Sequence, residues 1–308
     1  MVDPNKDPKR IFNYGDIAKD RENETPDPRD FIDDPYSREE VERDMKKLAE
    51  IRSRESHDDI GLRSADIHEY ATQQEMGEMD WFHEDDRGEE LFPDDKGHQM
   101  AAFLTSDYDD HLNHVDVVCV MDNACSDFEP VPFALDLTYR SDADWENSEK
   151  MDKKFSWRHR SRNIGTKGFC EVKYFEDDYN MEPLLPKGRI GAMPRFVVGY
   201  SEELAEKITE ERMMSTGWDS LSRMEPSGKA KFCVLHELVQ QSEQMMEYLE
   251  KHHDTPELQQ LQTNVEALNK YFSGALEAAR ENDKMTHYES YANRDAVAQS
   301  IMLRKITD

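Results

Sequence analysis

His114–Met121, HVDVVCVM, and Phe133–Tyr139, FALDLTY, are the stretches on which the reading of this chain turns. Both are short, apolar and rich in β-branched or aromatic residues, the composition that suits a pleated, buried strand. Between them, Asn123 to Pro132 supplies turn-forming residues, so the pair predicts a hairpin. Two further strands are expected at Phe169–Phe175, FCEVKYF, and Phe196–Tyr200, FVVGY. Asp142 can cap a helix from Ala143 to about Arg160, and Ser201 can cap another through Leu204 and Ile208. The resulting order, β-β-α-β-β-α after a leading helix, is that of an α/β protein.

Toward the N-terminus, Ser37 and Glu40 form a capping box ahead of Val41, Met45, Leu48 and Ile51 at helical spacing. Ser64 opens a second helix through Ile67, Tyr70 and Ala71 to about Met76. Residues 1–36 carry Pro4, Pro8, Pro26, Pro28 and Pro35 among scattered charges, and an unstructured arm is expected there. Residues 80–98, DWFHEDDRGEELFPDDKGH, read as an acidic loop anchored by Trp81 and Phe82, with a short strand or helical turn over 99–107.

The C-terminal third reads as helical. Phe232, Leu235, Leu238, Met245 and Leu249 line one helix, and Asp254-Thr255-Pro256 makes a turn with proline at the first helical position. Leu258, Leu261, Val265, Leu268, Phe272 and Leu276 then recur at spacings of 3, 4, 3, 4 and 4, close to a heptad seam. A last helix is expected over Tyr288–Ile306. The expected organisation is an arm (1–36), an α/β core (37–213), a linker (214–228) and a helical hairpin or bundle (229–308). That last part packs on the core, on another copy of the chain or on a protein partner.

Composition narrows the class. Hydrophobic residues are 36% and charged residues 35%, so the apolar core is confined to part of the chain. No apolar run approaches the ~20 residues that span a bilayer, and MVDPNKDPKR has no apolar leader segment. Cys119, Cys125, Cys170 and Cys233 form no CxxC pair or zinc spacing and read as reduced thiols, which points to a cytoplasmic setting. The net charge is −29, which repels polyanions and anionic membranes alike. Its distribution is uneven: Glu75–Asp110 holds 13 acidic and 2 basic residues, whereas Lys150–Lys173 holds 8 basic and 2 acidic.

Asp116 and Asp136 carry the chemistry of the central hairpin. An aspartate within an apolar strand is costly unless its charge is compensated. The two can meet on one face, and Asp110, in the Tyr108-Asp109-Asp110 run, can close on the same point. Converging carboxylates repel, and a hard cation such as Mg²⁺ or Mn²⁺ removes the penalty. The plainer alternative is that each aspartate caps a turn or faces solvent on an edge strand. His111 and His114 stand nearby as further ligands or as ordinary turn histidines. His252-His253 suits a helix C-terminus. Gly188 and Gly191 lack the strand–GxGxxG–helix context of a nucleotide site.

Helix, strand with Asp, hairpin and second strand with Asp together resemble the core of the PD-(D/E)XK nuclease superfamily, over roughly residues 64–213. The resemblance implies a restriction-endonuclease-like core, a small mixed sheet flanked by helices. It implies that Asp116 and Asp136 ligate Mg²⁺ and that a helix-borne Glu, here Glu69, completes the site. The family's lysine position holds Thr138, a departure, and Lys153 or Lys154 of the following helix is the substitute. A second register pairs Asp136 with Glu171-Val172-Lys173 as E-x-K. The implied activity is metal-dependent phosphodiester hydrolysis of DNA or RNA. The alternative is a non-catalytic acidic interaction protein whose nuclease-like core has lost its lysine.

The cationic stretch bears on the same question. Lys150, Lys153, Lys154 and Trp157 fall on one helical face, followed by Arg158, Arg160, Arg162 and Lys167. Cations with an interleaved aromatic suit phosphate contact and base stacking. Equally, this face can pair with the protein's own acidic loop at 84–95.

Overall fold

The computed structural model describes residues 14–53, 64–78, 98–123, 130–140, 169–177, 184–214, 225–251, 255–281 and 286–303. Their centre is a five-stranded mixed sheet: β1 (His98–Leu104), β2 (Val117–Asn123), β3 (Val131–Arg140), β4 (Phe169–Phe175) and β5 (Gly188–Ser201). The strand order is β1-β2-β3-β5-β4. The first three strands form an antiparallel meander, β5 runs parallel to β3, and β4 pairs antiparallel with the first half of β5. The expected hairpin is thus β2–β3, aligned with Val117 opposite Leu135 and Cys119 opposite Phe133.

This register sorts the side chains onto two faces, because successive residues of a strand point to opposite sides. Val117, Cys119, Phe133, Leu135, Leu137, Phe196, Val198 and Tyr200 share one buried cluster with the helices of one side. Ala101, Phe103, Val118, Val120, Ala134, Cys170, Val172, Phe175 and Met193 form a cluster on the other side. Cys119, Cys170 and Cys233 are buried free thiols.

Helices α1 (Tyr14–Glu24), α2 (Arg38–Arg52) and α3 (Ser64–Glu78) precede the sheet, and α4 (Asp107–Asn113) links β1 to β2. The expected Ser37 cap is present, its hydroxyl accepting from the Glu40 N–H at 3.3 Å. After β5 come α5 (Glu202–Met214), α6 (Glu225–Leu249), α7 (Pro256–Glu281), α8 (Thr286–Ala292) and α9 (Ala296–Leu303). The α7 seam of Leu261, Val265, Leu268, Phe272 and Leu276 is buried, with Leu258 at its margin. Phe272 meets Phe133 and Phe196 edge-on, with centroids 5.4 and 5.7 Å apart. The α6–α7 hairpin therefore shares one core with the sheet rather than forming a separate module, and α6 starts four residues before the expected boundary at 229.

Two further expectations change. The arm expected over 1–36 is folded from Tyr14 onward: α1 lies against α3, and Phe31 is fully buried. Low apolar content misleads here because the few apolar residues are concentrated. Phe31 and Tyr36 stack edge-on against Tyr174 of β4 at 5.3 and 5.5 Å, and the Tyr36 hydroxyl donates to the Lys173 carbonyl at 2.9 Å. The single last helix is instead two. Asp295 breaks it, its Oδ1 accepting from the N–H groups of Val297 and Ala298 at 3.0 and 3.1 Å as an N-cap.

β5 outruns β4 after Pro194, which leaves a strand edge inside the protein. Side chains complete it. Gln241 accepts from the Val197 N–H at 2.9 Å and donates to the Val197 carbonyl at 2.7 Å. Glu237 accepts from the Gly199 N–H at 2.8 Å, and Asp295 accepts from the Ser201 N–H at 3.0 Å. Buried backbone groups need partners, and here helices supply what a sixth strand would.

Candidate functional site

The α4–β2 junction holds the aspartates of interest. Ser106 caps α4 by accepting from the Asp109 N–H at 3.2 Å, and His114 ends it in the left-handed region at φ 54°. Asp109 is fully buried and entirely structural. It accepts from Ser106 Oγ, Asn113 Nδ2 and the N–H groups of Lys173 and Tyr174 at 2.7–2.9 Å, tying α4 to β4.

Asp116 stands just before β2. Its N–H donates to the Leu135 carbonyl at 3.0 Å, its carbonyl accepts from Thr105 N–H at 3.2 Å, and its Oδ2 accepts from Leu137 N–H at 2.6 Å. One carboxylate oxygen therefore stands in for a backbone acceptor where the β2–β3 ladder ends. The Asp116 side chain also hydrogen-bonds that of Asp110 from α4.

Asp110 is about one-third exposed, 35% of its side chain. Burial, then the like charges of Asp66 and Asp107, push its carboxyl up to about 6 against the Asp116 hydrogen bond and the positive field of Arg21. Glu69, half-buried on α3, is raised well above the usual carboxylate range by burial and then by Asp116, Asp110 and Asp66, again opposed by Arg21. Carboxyl groups from α3, α4 and the start of β2 thus act on one another: Asp116 and Asp110 raise Glu69, whereas the Asp116 hydrogen bond lowers Asp110.

Asp136 belongs elsewhere. Its carboxylate is ion-paired with Arg195 Nη2, both side chains nearly inaccessible at 5% and 3% exposure. Arg195 Nη1 also donates to the Asn113 carbonyl at 3.4 Å, fastening the end of α4. The expected Asp116–Asp136 metal pair is replaced by this arrangement, in which β5 supplies the compensating charge. Thr138, at the resemblance's lysine position, is buried opposite Gly199. The second register is accounted for too. Glu171 pairs with Arg189, and Lys173 pairs with Glu40 and Asp44 of α2, each at 2.5 Å. His111 Nδ1 lies 2.9 Å from the Asp107 carbonyl and 3.5 Å from Asp110 Oδ2, whereas His114 is exposed. Lys150, Lys153, Lys154, Trp157, Arg158, Arg160, Arg162 and Lys167 lie outside the described residues, as do most of the acidic loop and His252-His253.

Asp66 and Arg21 are the site neighbours that sequence reasoning passed over. Asp66 is one turn from Glu69 on α3, a spacing that was available as a signal. Arg21 carried none, since its position depends on α1 docking. Deeper between α3 and α5, His68 Nδ1 bonds Thr209 Oγ1 at 2.8 Å, and burial lowers the imidazole to about 4, so it is neutral.

Among the described residues, no group of three or more His, Cys, Asp or Glu side chains is arranged to hold a metal ion as it stands. No helix of those residues is long and apolar enough to cross a membrane. No protein-family model, curated protein or solved structure matches the chain.

Proposed function

We propose that Glu69, Asp110 and Asp116 take a divalent cation, Mg²⁺ or Mn²⁺, and that the protein is a metal-dependent phosphodiesterase of nuclease type acting on DNA or RNA. The observation that supports this reading is the gathering of three carboxyl groups: Asp116 hydrogen-bonds Asp110, and burial followed by the charges of Asp116 and Asp110 raises Glu69. Their chemistry fits the ion: all are hard oxygen donors, and Asp110 is open to solvent. Asp116 is fixed by the Leu137 N–H. The position of Glu69 beside Asp116 supports the resemblance to the PD-(D/E)XK superfamily, with Asp136 reassigned to a structural ion pair.

When bound, the ion would polarise a phosphate and make its water more acidic. Asp116, held by the Leu137 N–H, and Asp110, hydrogen-bonded to it, would hold and orient the ion and its water. Lys153 or Lys154 would balance charge on the phosphate, and the stretch Lys150–Lys167 would hold the polyanion. The test is cleavage of labelled single-stranded, duplex and RNA oligonucleotides at low salt with Mg²⁺, Mn²⁺ or chelator. Cleavage that needs the cation and disappears in Asp116→Asn and Asp110→Asn is expected. Neither cleavage nor cation-dependent binding on any substrate overturns the reading.

A second reading has its own observation. Thr138 and the Asp136–Arg195 pair leave β3 without the family's second metal ligand and lysine. They favour a non-catalytic interaction or assembly protein on a degenerate nuclease-like core, for which the same assays give no turnover.

A further inference from the structure

From Arg195 to Ser201, β5 has β3 on one side and side chains of the C-terminal helices on the other. Gln241 of α6 accepts from the Val197 N–H and donates to the Val197 carbonyl. Two residues on, Glu237 Oε2 accepts from the Gly199 N–H, and two further on, Asp295 Oδ2 accepts from the Ser201 N–H. The three are not equivalent. Gln241 carries no charge. Asp295 accepts from three backbone N–H groups, those of Ser201, Val297 and Ala298, which suits an ionised carboxylate. Glu237 is fully buried and accepts from Gly199 alone, and its Oε1 is buried with no hydrogen-bond partner among the described residues. No cation of those residues acts on it, since its chain neighbour His236 turns to Glu289 of α8 at 3.4 Å. The titratable groups around it are Asp295, which adds a like charge, Cys233 one turn back on α6, and Tyr291 of α8, set against Ser201 Oγ at 3.3 Å. An anion here would lose its water, gain one N–H and face Asp295. A neutral acid forgoes only a hydroxyl hydrogen bond, which costs far less.

We propose that the contact of α6 with β5 is a proton-dependent latch, in which the neutral carboxyl of Glu237 holds α6 on the open edge of β5 and loss of its proton releases that contact. Burial raises this carboxyl well above the usual carboxylate range, against the Gly199 hydrogen bond and with the charge of Asp295. A raised carboxyl contributes stability that is fully present below its unfolded value near 4.5 and is lost as pH rises through the folded value. The latch is therefore closed in acid and weakens toward alkaline pH. A strand in this position would be indifferent to pH. Sealing the edge with a carboxyl instead makes one side of β5 separable from the other, which stays paired with β3.

The experiment uses the full chain and two readouts. Urea unfolding is followed from about pH 5 to pH 8 for wild type and Glu237→Gln, which keeps the acceptor for Gly199 and has no proton to lose. The folding equilibrium constant of wild type should fall by about tenfold per pH unit relative to the variant, the slope of one linked proton. A constant offset from the buried amide cancels, because only the slopes are compared. The second readout needs wild type alone. Amide hydrogen exchange, corrected for its intrinsic base catalysis, should show the protection of Gly199 falling as pH rises, while amides of β2, a strand paired on both sides, stay more protected at every pH. Parallel unfolding profiles for wild type and Glu237→Gln overturn the proposal, as does a level Gly199 protection in wild type. Gly199 and β2 exchanging together would also overturn it, since the opening would then be that of the whole fold and not of one contact.

Discussion

Asp110 and Asp136 are two aspartates near the same end of one hairpin, and their surroundings give them opposite roles. Asp136 has a buried guanidinium against it, whereas Asp110 has other carboxyl groups. Since its folded value is raised to about 6, Asp110 favours folding while protonated. That contribution is fully present below the unfolded value near 3.8 and is lost as pH rises through about 6. Asp110→Asn should therefore gain stability relative to wild type between pH 4 and 7, read as the difference in urea midpoints. If the site takes Mg²⁺, the ion should raise the wild-type midpoint more at pH 7 than at pH 5, because protons compete for the same oxygens. Parallel pH profiles would remove Asp110 from the acidic group. Asp136→Asn should cost about 3–5 kcal/mol by leaving Arg195 uncompensated, and Asp136→Leu with Arg195→Met should recover much of it. Mn²⁺ affinity should hardly change in Asp136→Asn; a large drop would return Asp136 to the metal site.

At the scale of elements, β3 and β5 are joined by a parallel pairing with no room for a side chain at Gly199. A Cβ there would fall 2.1 Å from the Thr138 carbonyl oxygen and 2.6 Å from its Cγ2. Gly199→Ala should cost at least about 1–3 kcal/mol, because the obstructing atoms belong to a paired strand. Gly191→Ala meets nothing within 4 Å and should stay within about 0.5 kcal/mol. Equal denaturation midpoints for the two would contradict this packing. Residues 28–36 offer a second check. Phe31→Ala should cost about 3–5 kcal/mol if that segment is integral to the fold, and an unchanged midpoint would return it to the status of an arm. The strands and the α7 seam were legible because apolar spacing alone defines them. The sealing of the β5 edge was not: Glu237 and Gln241 are ordinary polar residues one turn apart on a helix until β5 lies beside them.

The whole molecule carries a net charge of −29, and self-repulsion should oppose its compact state. Raising NaCl from low concentration to about 0.5 M, where screening acts within a few ångströms, should increase the melting temperature. A flat or falling curve in differential scanning calorimetry would show that short-range pairs such as Lys173 with Glu40 and Asp44 outweigh the long-range field. The same charge makes local neutralisation the condition for any contact with a polyanion.

The sequence by itself determined the mixed α/β class, the β2–β3 hairpin, the Ser37 cap and the buried seam of α7, since each depends on side-chain period or on residues adjacent in the chain. It also marked Asp116 and Asp136 as a pair, with Asp110 or Glu69 assisting, whereas the fold sets Asp136 against Arg195. Only the tertiary structure decided how their charges are met. Asp136 lies 59 residues from Arg195, Lys173 lies 133 from Glu40, and Arg21 reaches Glu69 only through the docking of α1. A charge in a strand announces that a partner must exist, but Coulomb attraction acts through space, and no spacing along the chain says which distant cation the fold will deliver.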